Sequence, residues 1–444
     1  MTRLGLPALS SLDGVRRPAY DPAGVQVGIV HLGVGAFHRA HQAVYTDTVL
    51  AADPTWGISG FTQRSATVRD QLAPQDGLYT VLERGAGAAP PRVIGALREI
   101  RTPDEDGGPA ARIADPRVRL VTLTVTEKGY RPGAPTVGHL VAGLAARRRA
   151  DAGPISVLSC DNLTANGPTL RMLVARHCAG SPDADRLLDW ITESVAFPSC
   201  VVDRIVPATT AADRDAVAAA IGVRDEGAVV AEPFSQWVIE DSFAAGRPAW
   251  DATYTTDVAP YEAAKLRLLN ATHSLLAYTG ALAGHETIAA AMTDPALAEA
   301  AHRLMTEDAA PTLTLPDGFD LAGYQDAILR RFADPALGHR TAQVAADGSL
   351  KLPIRLLGTA RDRLAAGATP QWTALAVAAW MVYVATRRPV DDPLAGKLAA
   401  ATAGFTTPAS LVDPLLDLLP PVPYPVWRDL LVAHTARLLH DTRT

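Results

Sequence analysis

Val25-Gln26-Val27-Gly28-Ile29-Val30-His31-Leu32 is a short apolar run that stops at Gly33-Val34-Gly35 and passes into a helix-forming stretch over residues 36–50. Strand, glycine turn and helix in that order open a dinucleotide-binding unit. The first glycine makes the tight turn, and the second lets a pyrophosphate approach the backbone. The third glycine of the G-x-G-x-x-G pattern is missing, and His38 stands in its place. Working outward, further strand-like runs lie at residues 56–61, 120–126 and 155–160, with shorter ones at Val201-Val202 and at 228–231. Strands alternating with helices predict a parallel sheet covered on both faces. After about residue 261 strand signals fade, and Ala/Leu-rich amphipathic segments dominate at 261–283, 295–305, 321–332, 372–388 and 424–439. The expected architecture is a Rossmann-type α/β domain over 1–258 followed by an all-α domain over 259–444.

Composition narrows the function classes. At 444 residues the chain is too long for one core. Its charge, 41 Lys and Arg against 47 Asp and Glu, is −6 and spread along the chain, which argues against a nucleic-acid surface. The most membrane-like stretch, 372–384, is shorter than the ~20 residues a spanning helix needs, so no membrane association is expected. No basic region followed by an apolar core opens the chain, and Cys160, Cys178 and Cys200 form an odd, widely spaced set. Both point to a reducing, cytoplasmic setting without disulfides. Oligomeric state is not legible.

The strand at 56–61 is followed by Thr62-Gln63-Arg64-Ser65, with no carboxylate for the adenosine ribose. Arg64 suits a 2′-phosphate or an adenine face, so NAD is the expectation and NADP stays open. His38 and His41 are three apart, a spacing that can bring two imidazoles together, but no third ligand lies near in sequence. No metal site is expected.

The densest chemistry lies in Tyr261-Glu262-Ala263-Ala264-Lys265-Leu266-Arg267-Leu268-Leu269-Asn270-Ala271-Thr272-His273. At about 100° per residue, with Lys265 at zero, Glu262 falls near 60°, His273 near 80° and Asn270 near 140°. Leu268, Ala271, Leu275, Tyr278 and Leu282 take the other side. A lysine with a lowered pKa can remove a hydroxyl proton, an asparagine amide can hold the alkoxide, and a histidine can orient the partner group. Spacing alone equally allows solvated charges and local caps. A second polar cluster, Cys160-Asp161-Asn162-Leu163-Thr164-Ala165-Asn166-Gly167, follows the strand at 155–160, where the carboxyl edge of a sheet gathers ligands. Either Asn162 or Asn166 could supply a further amide, the other forming an Asx-turn.

Several of these segments together resemble the polyol-specific long-chain dehydrogenase/reductase family, which includes mannitol 2-dehydrogenase and fructuronate reductase (D-mannonate oxidoreductase). The stretches that carry the resemblance are Ile29-Val-His-Leu-Gly-Val-Gly-Ala-Phe-His-Arg-Ala-His41, Thr124-Val-Thr-Glu-Lys-Gly-Tyr130 and Ser159-Cys-Asp-Asn-Leu-Thr-Ala-Asn-Gly167. Val202-Asp-Arg-Ile-Val-Pro207, Glu232-Pro-Phe-Ser-Gln-Trp-Val-Ile-Glu-Asp241 and the Lys265, Asn270, His273 spacing follow in order. The resemblance implies a metal-independent NAD(P)-linked dehydrogenase with a Rossmann-type cofactor domain, a helical substrate domain, and an active site between them. Lys265 would be the general base, Asn162 and Asn270 the oxyanion pair, and His273 would orient the substrate. Asp203 and Glu262 would line the site as a proton route. Gly33, Gly35, Ala36, Phe37 and His38, with Arg64 and Thr126, Glu127 and Lys128, would hold the cofactor. Absence of the third glycine is a trait of the family.

The segment His339-Arg340-Thr341-Ala342-Gln343 through Lys351 matches the substrate side of the family. Mannitol dehydrogenases tend to carry arginine where Gln343 stands, and Lys351-Leu-Pro-Ile-Arg355 also looks more like the uronate-reducing branch. Arg340, Lys351 and Arg355 offer cations to a substrate carboxylate. D-mannonate/D-fructuronate is therefore the first expectation and D-mannitol/D-fructose the alternative. A non-catalytic sugar or nucleotide sensor is the competing class, against which the full Lys265, Asn270, His273 set speaks.

Overall fold

The computed structural model describes residues 1–63, 65–125, 127–130, 134–179 and 183–441. Two compact units divide it, Met1–Val258 and Ala259–Thr444. In the first, six strands form one sheet: β1 (Val27–Leu32), β2 (Gly57–Phe61), β3 (Leu97–Arg101), β4 (Leu120–Leu123), β5 (Ile155–Ser159) and β6 (Val195–Ala196). All neighbours run parallel, in the order β3-β2-β1-β4-β5-β6. The order reverses between β1 and β4, the switch point at which open α/β sheets bind ligands.

Alternation along each strand builds two core layers. Ile29, Ile58, Leu120 and Leu158 face one layer, while Val30, Leu32, Val121, Leu123 and Val157 face the other. Helices Pro135–Arg149 and Asn166–Cys178 cover the second layer with Leu140, Leu144, Leu170 and Val174. Each such side chain, removed from water, stabilises the fold by about 1.5–3 kcal/mol before entropy is counted. Two smaller sheets complete the unit: Tyr79–Glu83, Arg92–Ile94 and Val229–Ala231 in one, Cys200–Asp203, Gln236–Glu240 and Thr253–Thr255 in the other.

The expected strands at 56–61, 120–126 and 155–160 are present but shorter, as β2, β4 and β5. β3 carries no apolar run, because it is the edge strand of the sheet. Its Glu99 accepts from Ser59 Oγ at 2.8 Å and from Arg112 Nη2 at 2.6 Å. The helix expected over 36–50 breaks at His41, whose backbone (φ −124°, ψ −88°) leaves the helical region and separates Ala36–Ala40 from Gln42–Val49.

The second unit is helical. Helix Gln371–Thr386 runs through its middle, packed by Ala271–Leu282 and Pro425–Asp441. Being surrounded, it is apolar on nearly every side. That burial explains the membrane-like composition there; among the described residues no helix is long and apolar enough to cross a membrane.

Candidate active site

β1 delivers the glycine turn. Gly33 has φ +102°, and a Cβ placed on it would lie 2.2 Å from the Thr124 carbonyl oxygen, so only glycine fits. Gly35 differs: its φ of −101° suits any residue, and an added Cβ would meet only Gly33 O, at 3.8 Å. Nothing inside the fold requires that glycine. Its small size is explained by close approach of a ligand to the backbone, and in this respect the residues present fit a dinucleotide.

His38 lies in the interior, where its ring stacks on that of His31, with centroids 3.4 Å apart and planes 14° apart. The close helix-to-strand contact usually left to the third glycine is made here by two flat imidazoles. Burial pushes the His31 pKa down to about 3, and burial, reinforced by His31 and Arg39, holds His38 well below the usual range. Both rings are thus neutral at neutral pH, which removes the repulsion that stacking would otherwise incur. His41 turns elsewhere, bonding to Gln236 O at 3.0 Å through Nε2 and stacking on Phe37. Ala36 and Phe37 are part-exposed beside the turn. Arg64 and Thr126, and the side chains of Glu127 and Lys128, lie outside the described residues.

After β5, the carboxylate and the two amides of the Asp161–Asn166 cluster divide. Asp161 accepts from Val125 N at 2.9 Å and from Tyr130 OH at 2.7 Å, tying down the chain beyond β4. Asn166 is buried and fully engaged: Nδ2 donates to Asp161 O (3.2 Å) and Cys200 O (2.8 Å), and Oδ1 accepts from Cys200 N (3.0 Å). Asn162 is exposed, and Ala165, three residues further on, takes the left-handed region (φ +46°). Asp203 is buried at the end of Cys200–Asp203. The adjacent Arg204 is structural, bonding to Ala40 O at 2.6 Å and Glu83 Oε1 at 3.0 Å.

In the helical unit, Lys265 does not sit on a regular α-helix. Ala259–Ala264 and Ala271–Leu282 are α-helical, but Lys265–Asn270 is a π-helical turn. With i→i+5 bonding, Lys265 and Asn270 stand one turn apart on the same side, closer in angle than regular α spacing predicts. Lys265, Asn270 and His273 are all buried. Asn270 Nδ2, His273 Nε2 and His339 Nδ1 are buried without a hydrogen-bond partner among the described residues. Such concentration of unsatisfied polar atoms calls for a ligand. The backbone oxygen of Asn270 is held by Ser274 Oγ at 3.1 Å and Arg355 Nη1 at 3.4 Å.

His273 stacks on Phe332 (4.7 Å between centroids) and meets His339 edge-on at 4.7 Å. Burial, then His339, Arg355, Arg331 and Lys351, hold its pKa well below the usual value. The ring is neutral in a positive field. Lys351 Nζ donates to Ala346 O at 2.6 Å. Arg340 and Gln343 are exposed, and Glu262 is half-buried one helical turn before Lys265. His339 was not singled out by the sequence; its only signal was its place at the head of the Arg340–Gln343 segment. Among the described residues no three His, Cys, Asp or Glu side chains gather as a metal site.

Residues 27–252 match the model of the mannitol dehydrogenase Rossmann domain, and residues 257–407 that of the mannitol dehydrogenase C-terminal domain. D-mannonate oxidoreductase of Escherichia coli (strain K12) is 43% identical over 401 residues, 83% of this chain and 82% of that protein. Mannitol 2-dehydrogenase of Cereibacter sphaeroides is 38% identical over 399 residues, 83% of each. The solved Pseudomonas fluorescens mannitol 2-dehydrogenase, a ternary complex with NAD and D-mannitol, superposes with a TM-score of 0.88 at 33% identity, covering 100% of this chain and 97% of that one. With both domains matched in order and most of its length aligned, the chain belongs to the mannitol dehydrogenase family of NAD-dependent oxidoreductases.

Proposed function

We propose that this enzyme interconverts D-mannonate and D-fructuronate with NAD as hydride partner. NAD, when bound, supplies the acceptor or donor of hydride; the chain supplies everything else. Gly33, Gly35, Ala36 and Phe37 hold it at the β1 turn, together with Arg64, Thr126, Glu127 and Lys128; His38 acts from within, as packing beneath the turn.

In the oxidative direction the amine of Lys265 takes the proton of the secondary hydroxyl, and the carbon–oxygen single bond becomes a carbonyl as hydride leaves that carbon. Asn270, together with Asn162, donates amide hydrogens to the oxygen as charge develops, an effect worth a few kcal/mol in such sites (roughly 2.7–4 per donor). The engaged amide of Asn166 supports Asn162 as the second donor. His273, neutral, orients the substrate, and Asp203 and Glu262 carry the proton to and from Lys265.

The observation that carries this reading is the unpartnered, buried Nδ2 of Asn270, one π turn from Lys265. The acid specificity rests on the cations around His273, namely Arg355, Arg331 and Lys351, with Arg340 and Gln343 at the exposed end. Likeness to the mannitol 2-dehydrogenases favours a second reading, reduction of D-fructose to D-mannitol.

The two are separated by following NADH absorbance with each ketose, and repeating with NADPH. A charge-assisted hydrogen bond to a carboxylate is worth about 1.5–3 kcal/mol, so kcat/KM for D-fructuronate should exceed that for D-fructose by about 10-fold or more. Faster reduction of D-fructose overturns the sugar-acid assignment.

A further inference from the structure

We infer that His31 is a positioning residue of the cofactor turn: its neutral imidazole fixes the Gly33 peptide from beneath and thereby sets the affinity for NAD. The inference rests on the dinucleotide reading of that turn and deepens it, since no role falls to His31 from the glycine pattern itself.

The hydrogen bonds determine the tautomer. Gly33 O is 3.2 Å from His31 Nε2, and a carbonyl can only accept, so Nε2 carries the proton. Thr124 Oγ1 donates to the same carbonyl at 2.8 Å and therefore accepts from Nε2, which is 3.0 Å away. Nδ1 is left as an acceptor, filled by the Thr122 hydroxyl at 2.7 Å. The backbone N–H of Thr124 donates to Leu32 O at 3.0 Å, so the side chain and the main chain of one residue hold β1 and its turn together.

The second glycine is fastened in the same manner. Gly35 O accepts from Arg39 Nε and from the Arg39 backbone N–H, each at 3.2 Å, and Arg39 is itself buried and bonded to Gly227 O at 2.5 Å. With both glycine carbonyls held inward, the intervening peptide planes keep one orientation. His38 lies flat on the other face of the His31 ring and closes it from water. His31 is fully buried beneath the turn and acts through Gly33. Because its pKa lies near 3, no change in this network is expected between pH 6 and 9.

The test compares wild type, His31→Leu, His31→Gln and Thr124→Val in the full-length enzyme. NADH binding is followed by fluorescence titration, and KM for NADH and kcat with D-fructuronate are measured alongside. His31→Leu removes all three side-chain hydrogen bonds of the imidazole and is expected to raise Kd and KM for NADH about 10-fold, with kcat at saturation within about two-fold. His31→Gln, whose amide can donate in place of Nε2, should recover most of the affinity. If His31→Leu does not fold, the half-buried Thr124→Val carries the same expectation. Unchanged NADH affinity in His31→Leu and Thr124→Val, with wild type binding normally, overturns the role of His31 alone. A wild-type protein that binds no NADH overturns the dinucleotide reading and this inference with it.

Discussion

His31 and His273 belong to different units, yet burial acts on both in the same direction. Each is neutral where a solvated imidazole would be half-charged. His434 follows, lowered to about 4, again chiefly by burial. A histidine whose folded pKa lies below its unfolded value of about 6.5 binds fewer protons when folded, so its stabilisation is full above pH 6.5 and is lost as pH falls toward the folded pKa. Each such group contributes a slope approaching 1.4 kcal/mol per pH unit within that window. The urea midpoint should therefore fall steadily from pH 7 to 5.5. Asp225 and Asp308, raised by burial, act in the opposite sense as pH falls through their folded pKa values. A midpoint that is flat from pH 7 to 5.5 contradicts the neutral, buried imidazoles.

At this scale the common arc of Lys265, Asn270 and His273 was legible, although spacing alone divided it evenly between chemistry and local caps. The choice between Asn162 and Asn166 was not. Both suit an Asx-turn, and only the fold reveals that the Asn166 amide is engaged by Cys200 and Asp161.

Among elements, the π turn at Lys265–Asn270 matters most. It packs against two others, Leu304–Ala309 and Pro353–Leu357. One of these has a cause in the sequence: Pro353 lacks an N–H, so a regular α ladder cannot continue through it. Nothing in Lys-Leu-Arg-Leu-Leu-Asn signals the turn that carries Lys265, which is why a uniform 100° per residue misplaced Asn270. Inserting one alanine between Leu266 and Arg267 lengthens this span by a residue and should rotate Lys265 relative to Asn270 and His273 by about 100°. Turnover should fall at least 100-fold while NADH binding persists; near-normal turnover would show that the π turn sets no catalytic geometry. Edge strand β3 was missed for another physical reason. Charged residues on a half-covered strand have no apolar run to read.

For the whole molecule, the glycine turn and the alternation after it were enough to expect a parallel sheet, and the strand order 3-2-1-4-5-6 is the one in which β1 begins the switch point. The change of texture after about residue 261 was equally visible, and the chain divides into two compact units after Val258. Net charge of −6 gave no sign of the positive field that Arg355, Arg331 and Lys351 place around His273. The proposed function divides the labour between the units, with cofactor binding in the first and proton transfer in the second. Lys265→Ala, measured for NADH binding by fluorescence and for D-fructuronate reduction by NADH absorbance, tests both at once. NADH affinity should stay within about three-fold of wild type while kcat at neutral pH drops by two or more orders of magnitude, the scale of a lost general base. Retained turnover at neutral pH would contradict the assignment of Lys265 as the group that moves the proton.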